Sequence, residues 1–147
     1  MVSHAIATES GMQVTVRQRV EIPGPEDITI DHAANVAFVS SQQRRDEKTG
    51  KILLRPEDQP GGAIFALDLN GETLAKRLLT DQGALGFPFH PAGLSLFCGP
   101  NGERRLFVVN LRGTDDNAVE AFDVQGGCLR HVGTDEDLTR RRPSLLR

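Results

Sequence analysis

The chain has 147 residues and a mass of 16.0 kDa, the size of one ordinary domain with enough length to bury a core. Hydrophobic residues at 38% and charged residues at 25% exclude disorder along the whole chain. Seventeen Lys and Arg against 20 Asp and Glu leave a net charge of −3 without a basic stripe, which argues against nucleic acid as a partner; no apolar run nears the ~20 residues of a membrane span.

The opening MVSHAIATESG has neither the basic nor the apolar region of a secretory signal, so the expected location is cytoplasmic. Residues 1–12 read as a flexible N-terminus. From there the chain offers short apolar or alternating runs rather than patterns of helical period, punctuated by 15 Gly and 8 Pro. Strands are expected over 14–22, 28–31, 36–41, 63–69, 73–79, 93–97, 106–110, 118–124 and 128–132. The breakers between them include Pro23-Gly24-Pro25, Ala33-Ala34-Asn35, Pro100-Asn101-Gly102 and Gln125-Gly126-Gly127. Asn70-Gly71 fits a two-residue hairpin turn, which needs positive φ at both positions. Residues 133–147 read as a C-terminal tail ending in RRRPSLLR.

The order of these runs repeats. AIFALDLNG (63–71) matches AVEAFDVQG (118–126), AFVSS (37–41) matches LFVVN (106–110), and ITI (28–30) matches LSL (94–96). Four antiparallel strands recurring every ~40–50 residues are the signature of a propeller blade. The expected fold is therefore all-β, a partial β-propeller over 13–132 with blades at roughly 24–80 and 90–132. Two degenerate copies also suit a Greek-key sandwich. Propellers close with about four to eight blades, so two blades stand for the front portion of a larger plan, with both lateral faces open.

Several constellations invite chemistry. Glu26 and Asp27 follow a rigid Pro-Gly-Pro turn and open the first strand of the first blade. Adjacent residues on an ideal strand point to opposite faces, so the two acids would serve two cations, or one would anchor while the other ligates. The bland alternative is a solvated loop acid beside an aspartate that satisfies turn N–H groups. His90, between Phe89 and Pro91, is a candidate base, or a packed and hydrogen-bonded core residue. Ser95 lies in GLSLF, not GxSxG, so it supports no hydrolase triad. Asn110 reads as a turn cap, Arg112 with Asp115-Asp116 as a solvated loop, and Asp135-Glu136-Asp137 as surface. Neither GxGxxG nor a P-loop occurs. Cys98 and Cys128 lack metal-site spacing and read as reduced cysteines acting as small hydrophobes, with a single disulfide geometrically open.

GPEDITIDHAANVAFVSSQ (24–42), GAIFALDLNG (62–71), FHPAGLSLF (89–97) and LFVVN followed by AVEAFDV (106–124) resemble, in order, the paraoxonase-type arylesterases, six-bladed propellers akin to gluconolactonases. The resemblance covers about residues 14–132 and corresponds to the N-terminal portion of that family. It implies a calcium-dependent hydrolase of small aryl esters or lactones. By position, Glu26 matches the ligand of the catalytic Ca²⁺, Asp27 matches a ligand of a structural Ca²⁺, and Leu94 matches a residue whose backbone carbonyl joins that second site. The family commonly has histidines where this chain has Ala92 and Leu111. Its remaining calcium ligands, asparagines and an aspartate from later blades, have no counterpart in these 147 residues, so no catalytic residue is assigned and weak or absent activity is expected. Two rival expectations are a non-catalytic module that binds a partner or self-associates through open blade edges, and a truncated gene product without a role of its own.

Overall fold

In a computed structural model of the chain, the described residues are 5–7, 13–15, 19–46, 48–53, 60–71, 76–80, 89–112 and 117–135. They form strands and turns with no helix, so the protein is all-β as the alternation predicts, and no helix among them is long and apolar enough to cross a membrane. β1 (Ala5–Ala7) and β2 (Gln13–Thr15) make a small antiparallel pair. The first large sheet is an antiparallel meander of β3 (Pro25–Asp31), β4 (Val36–Ser41), β5 (Ala63–Asp68) and β6 (Lys76–Arg77). After β7 (Leu79–Thr80), the second meander runs through β8 (Pro91–Cys98), β9 (Arg104–Leu111), β10 (Asn117–Gln125) and β11 (Cys128–Asp135). β7 adds to the free side of β11 in parallel, so the segment 76–80 leaves one sheet and joins the other.

Period-two alternation builds these sheets. Along β10, Ala118, Glu120 and Phe122 are buried while the residues between them are partly exposed. Along β9, Leu106, Val108 and Asn110 are buried in the same way. The core is the contact between the two sheets. Phe38 and Ile64 of the first sheet, with Leu78, meet Leu106, Val108, Phe122 and Leu129 of the second, and Phe89 closes the group. Phe89 meets Phe122 edge to face at a centroid distance of 5.6 Å, a favourable aromatic geometry. Polar contacts flank this core. Arg104 at the start of β9 pairs with Asp31, which is 1% exposed at the end of β3, and the Gly62 N–H donates to the Phe89 carbonyl at 2.6 Å.

Several expectations change. The strand expected over 14–22 is limited among the described residues to β2, and 19–22 belong to no strand; β1 was not expected at all. A three-residue strand is too short to show a period. Asn70-Gly71 is not a two-residue hairpin, because β5 ends at Asp68 and β6 begins at Lys76. Asn70 instead donates its N–H to the Asp68 carboxylate at 2.9 Å, a local turn. The two-residue hairpin is Gly126-Gly127, with φ of 54° and 91°, joining Gln125 directly to Cys128 across β10 and β11. Cys98 and Cys128 are free thiols, but both are exposed, so they do not act as core hydrophobes. Glu136, Asp137 and the arginine-rich end of the tail lie outside the described residues, as do Asp115 and Asp116.

Candidate functional site

The register of β3 against β4 slips between Pro25 and Ile28: Pro25 faces Ser41 and Ile28 faces Val39, so Glu26 and Asp27 together face Ser40. The second meander repeats this at the same place. Pro91 faces Asn110 and Leu94 faces Val108, leaving Ala92 and Gly93 opposite Val109. Each first strand thus carries a β-bulge at its start, a device that re-aims side chains. The strict opposite-faces rule for Glu26 and Asp27 does not apply inside the bulge. Gly24 prepares the first one: its φ is +50°, and a Cβ there would run into the Gln42 backbone, whose N–H donates to the Gly24 carbonyl at 2.8 Å.

The two bulges touch. Asp27 Oδ2 accepts the Leu94 N–H at 2.7 Å across 67 residues of sequence, and Oδ1 accepts the Ile28 N–H at 2.8 Å. The Ser40 hydroxyl accepts the Asp27 N–H at 3.0 Å and donates to the Ala92 carbonyl at 2.5 Å. Two of the three residues named by the resemblance, Asp27 and Leu94, therefore meet, through the N–H of Leu94. Glu26 goes elsewhere. Its carboxylate pairs with Arg44 (Oε1 to Nε 3.1 Å) beside a shallow cavity of about 480 Å³, lined by Gly24, Glu26, Gln42, Gln43, Arg44, Arg45 and Ile52.

Ca²⁺ takes six to eight oxygen ligands. Here both oxygens of Asp27 accept backbone N–H groups, and Glu26 already faces a guanidinium. Each of these oxygens keeps a further lone pair, but among the described residues no group of three or more His, Cys, Asp or Glu side chains gathers beside them. The positions of the family histidines carry no imidazole, since Ala92 and Leu111 are aliphatic. His90 is 2% exposed, with Nδ1 3.1 Å from the Leu111 carbonyl and its backbone N–H donating to Asn110 Oδ1 at 2.8 Å. A carbonyl can only accept, so Nδ1 carries a proton, and buried Nε2 has no hydrogen-bond partner among the described residues. His90 is thus the packed, hydrogen-bonded residue of the two readings.

The densest polar cluster was not expected. Glu120, fully buried in β10, accepts from Thr134 Oγ1 at 2.6 Å, from Arg112 at 2.7 Å and from Asn110 Nδ2 at 3.3 Å, and lies 3.0 Å from His131 Nε2. Burial alone would raise the Glu120 carboxyl, but the Thr134 hydroxyl, the Arg112 guanidinium, the Asn110 amide and the His131 ring outweigh it and hold the carboxyl below its ordinary value. Arg112 is not a solvated loop residue, because its side chain is only 7% exposed; Asn110 caps no turn but sits inside the sheet. Parity was the available signal: Ala118, Glu120, Phe122 and Val124 share one face, and three of them are apolar. Asp31 is likewise held low; burial would raise it, and the Ala34 N–H and Arg104 prevail.

Neither the models of known protein families nor the curated proteins contain a match to this chain.

Two outcomes follow from these contacts. Replacing Asp27 by Ala removes the acceptor of the Leu94 and Ile28 N–H groups, which water can reach, and is expected to cost about 1 kcal/mol in urea unfolding, whereas Glu26→Gln alters a surface ion pair and stays nearer zero. Because the Glu120 carboxyl is depressed in the folded state, its contribution is fully present above the ordinary carboxylate range and is lost as pH falls through the folded value. Glu120→Gln, which removes the buried negative charge shared by Arg112, Asn110, His131 and Thr134, is expected to cost about 1–3 kcal/mol at pH 7. That gap narrows on acidification when unfolding is compared from pH 7 to pH 3; a gap independent of pH would refute the assignment.

Proposed function

We propose that the chain is the part of a paraoxonase-type arylesterase or lactonase propeller that carries its first two blades, and that by itself it hydrolyses little or no ester. One observation carries the reading: Asp27 and Leu94, which the resemblance assigns to a single cation site, touch across the two sheets although 67 residues separate them. Two further features support it. Both large sheets contain a four-stranded meander in sequence order, and both begin with a bulge at equivalent positions, Pro25–Ile28 and Pro91–Leu94. The substrate class is a small aryl ester or lactone.

Low activity follows from the same residues. Ala92 and Leu111 offer no proton acceptor, and His90 is enclosed with its Nδ1–H on a main-chain carbonyl, out of reach of a substrate. The Asp27 carboxylate works as a fastener between two strands, and Glu26 is neutralised by Arg44.

With phenyl acetate and a γ-lactone as substrates, the chain is expected to give rates indistinguishable from buffer, with or without added Ca²⁺. Turnover abolished by a chelator would overturn the claim of inactivity. The structural part is checked separately by amide exchange. The Leu94 N–H is expected to exchange slowly in the wild type and at least about tenfold faster in Asp27→Ala. A Leu94 amide that exchanges freely in the wild type removes the contact on which the reading rests.

A further inference from the structure

Asparagine is followed by glycine twice in the chain, at Asn70-Gly71 and at Asn101-Gly102, and glutamate follows both, so the two stretches share the sequence N-G-E. Both asparagines are exposed, the first beyond the end of β5 and the second between β8 and β9. In such a pair the glycine nitrogen, on a residue with no Cβ to hinder it, can attack the asparagine side-chain carbon. Negative charge then develops on Oδ1. The outcome in a fold depends on how the glycine N–H is held and on what faces Oδ1. At Asn101 both oppose the reaction. The Gly102 N–H donates to the Gly99 carbonyl at 3.1 Å, and the Glu103 carboxylate accepts the Asn101 N–H and the Asn101 side-chain amide, each at 3.1 Å. A carboxylate beside the reacting amide disfavours a developing oxyanion. At Asn70 both favour it. The side-chain amide of Asn35 donates to Asn70 Oδ1, and the Gly71 N–H makes no hydrogen bond among the described residues. Asn35 is fixed in the turn between β3 and β4 with a φ of 54°, and its carbonyl accepts the Leu69 N–H at 2.9 Å.

We propose that Asn70 is a site of spontaneous modification, converted through a succinimide to aspartate and isoaspartate with the Asn35 amide stabilising the oxyanion, while the same tripeptide at Asn101 is held inert. The Gly71 nitrogen gives its proton to hydroxide and bonds to Asn70 Cγ. The Cγ–Nδ2 bond then breaks, and the nitrogen takes a proton from water and leaves as ammonia. Water opens the ring in either of two ways. Cleavage at Cγ gives aspartate, and cleavage at the main-chain carbonyl of residue 70 gives isoaspartate. One water enters and one ammonia leaves, with no change of oxidation state. The product adds a negative charge to a chain of net charge −3, close to the Asp68 carboxylate that accepts the residue 70 N–H at 2.9 Å. The isoaspartate form also lengthens the main chain by one methylene between β5 and β6, where Asn35 ties the turn after β3 to the end of β5.

Peptide mapping by mass spectrometry on the full chain, aged folded at mildly alkaline pH in heavy-oxygen water, reads both sites in one experiment. The Asn70 peptide is expected to take up one heavy oxygen and to split into aspartate and isoaspartate isomers, with Asn101 slower by about tenfold or more. In urea above the unfolding transition the two rates are expected to converge, because only the shared N-G-E remains. Asn35→Gly removes the donor at a φ that glycine accepts, and is expected to slow Asn70 by about threefold or more, the effect of one exposed hydrogen bond, without changing Asn101. Circular dichroism and thermal melting establish that the variant folds. Should it melt early, Asn35→Asp, also tolerated at positive φ, sets a carboxylate in place of the donor and is expected to slow Asn70 likewise. An Asn101 rate equal to or above that of Asn70 in the folded chain overturns the proposal. So does an Asn70 rate unchanged in the Asn35 variant, a rate difference that persists in urea, or a product with no isoaspartate.

Discussion

Phe38 and Ile64 on one sheet press against Leu106, Val108 and Phe122 on the other, and the remaining features of the molecule are placed by that contact. Neither meander is self-sufficient, since a single sheet of short strands leaves its apolar face in water and is stable only when something covers it. Apolar burial supplies the driving force, about 25 cal/mol per Å², but it has no direction. Direction comes from the flanking polar contacts. Asp31 with Arg104, Asp27 with the Leu94 N–H, and Gly62 with the Phe89 carbonyl all join the first sheet, or the chain entering β5, to the second sheet or its approach.

What the sequence disclosed follows from which signals are local. β4, β9 and β10 were legible because alternation over six or more residues belongs to the strand itself. The bulges were not, because a bulge is a relation between two strands: Pro25-Glu26-Asp27-Ile28 and Pro91-Ala92-Gly93-Leu94 look like loop running into strand until Ser40 and Val109 are seen opposite them. Arg112 misled for the same reason. Beside Gly113 and two aspartates it reads as a loop residue, and only the strand carrying Glu120 draws it inward. Asn70-Gly71 has the composition of a type I′ turn, yet Asn70 bonds back to Asp68 and the chain does not reverse there in two residues. Of the candidate site, Asp27 and Leu94 lie in hydrogen-bond contact, a relation that neither stretch of sequence carries by itself, and the partner of Glu26 was not foreseeable from its neighbours.

Four carboxylates show how far environment outweighs residue type. Asp31 and Glu120 are buried and kept charged by a guanidinium and by hydrogen-bond donors; Asp27 spends both oxygens on main-chain N–H groups; Glu26 stays near solvent against Arg44. Glu120 is the most telling, because its equivalent in the first sheet is Phe65. A buried ion pair gives little net stability over an apolar residue of similar size, but it fixes geometry, since losing either partner leaves an uncompensated charge. In the second sheet that constraint ties Asn110 of β9, Arg112 beyond it, Glu120 of β10, and His131 and Thr134 of β11 to one point. The second meander is thereby held by polar bonds within itself.

That difference bears on what the outward faces can do. Inside the chain, apolar burial and directional polar bonds coincide, and one arrangement results. On the outward faces the repeat preserved the apolar half of this pairing and let the polar half lapse, with Phe97 and Gly93 standing where Asp31 and Asp27 would be. A surface with the stickiness of a core contact but without its fasteners attracts a complementary surface without fixing its rotation tightly. The two outward faces differ in consequence: Phe107 and Phe97 on the second sheet meet solvent at 36% and 54% exposure, whereas Ala37, Val39 and Ser41 on the central strand of the first are already covered.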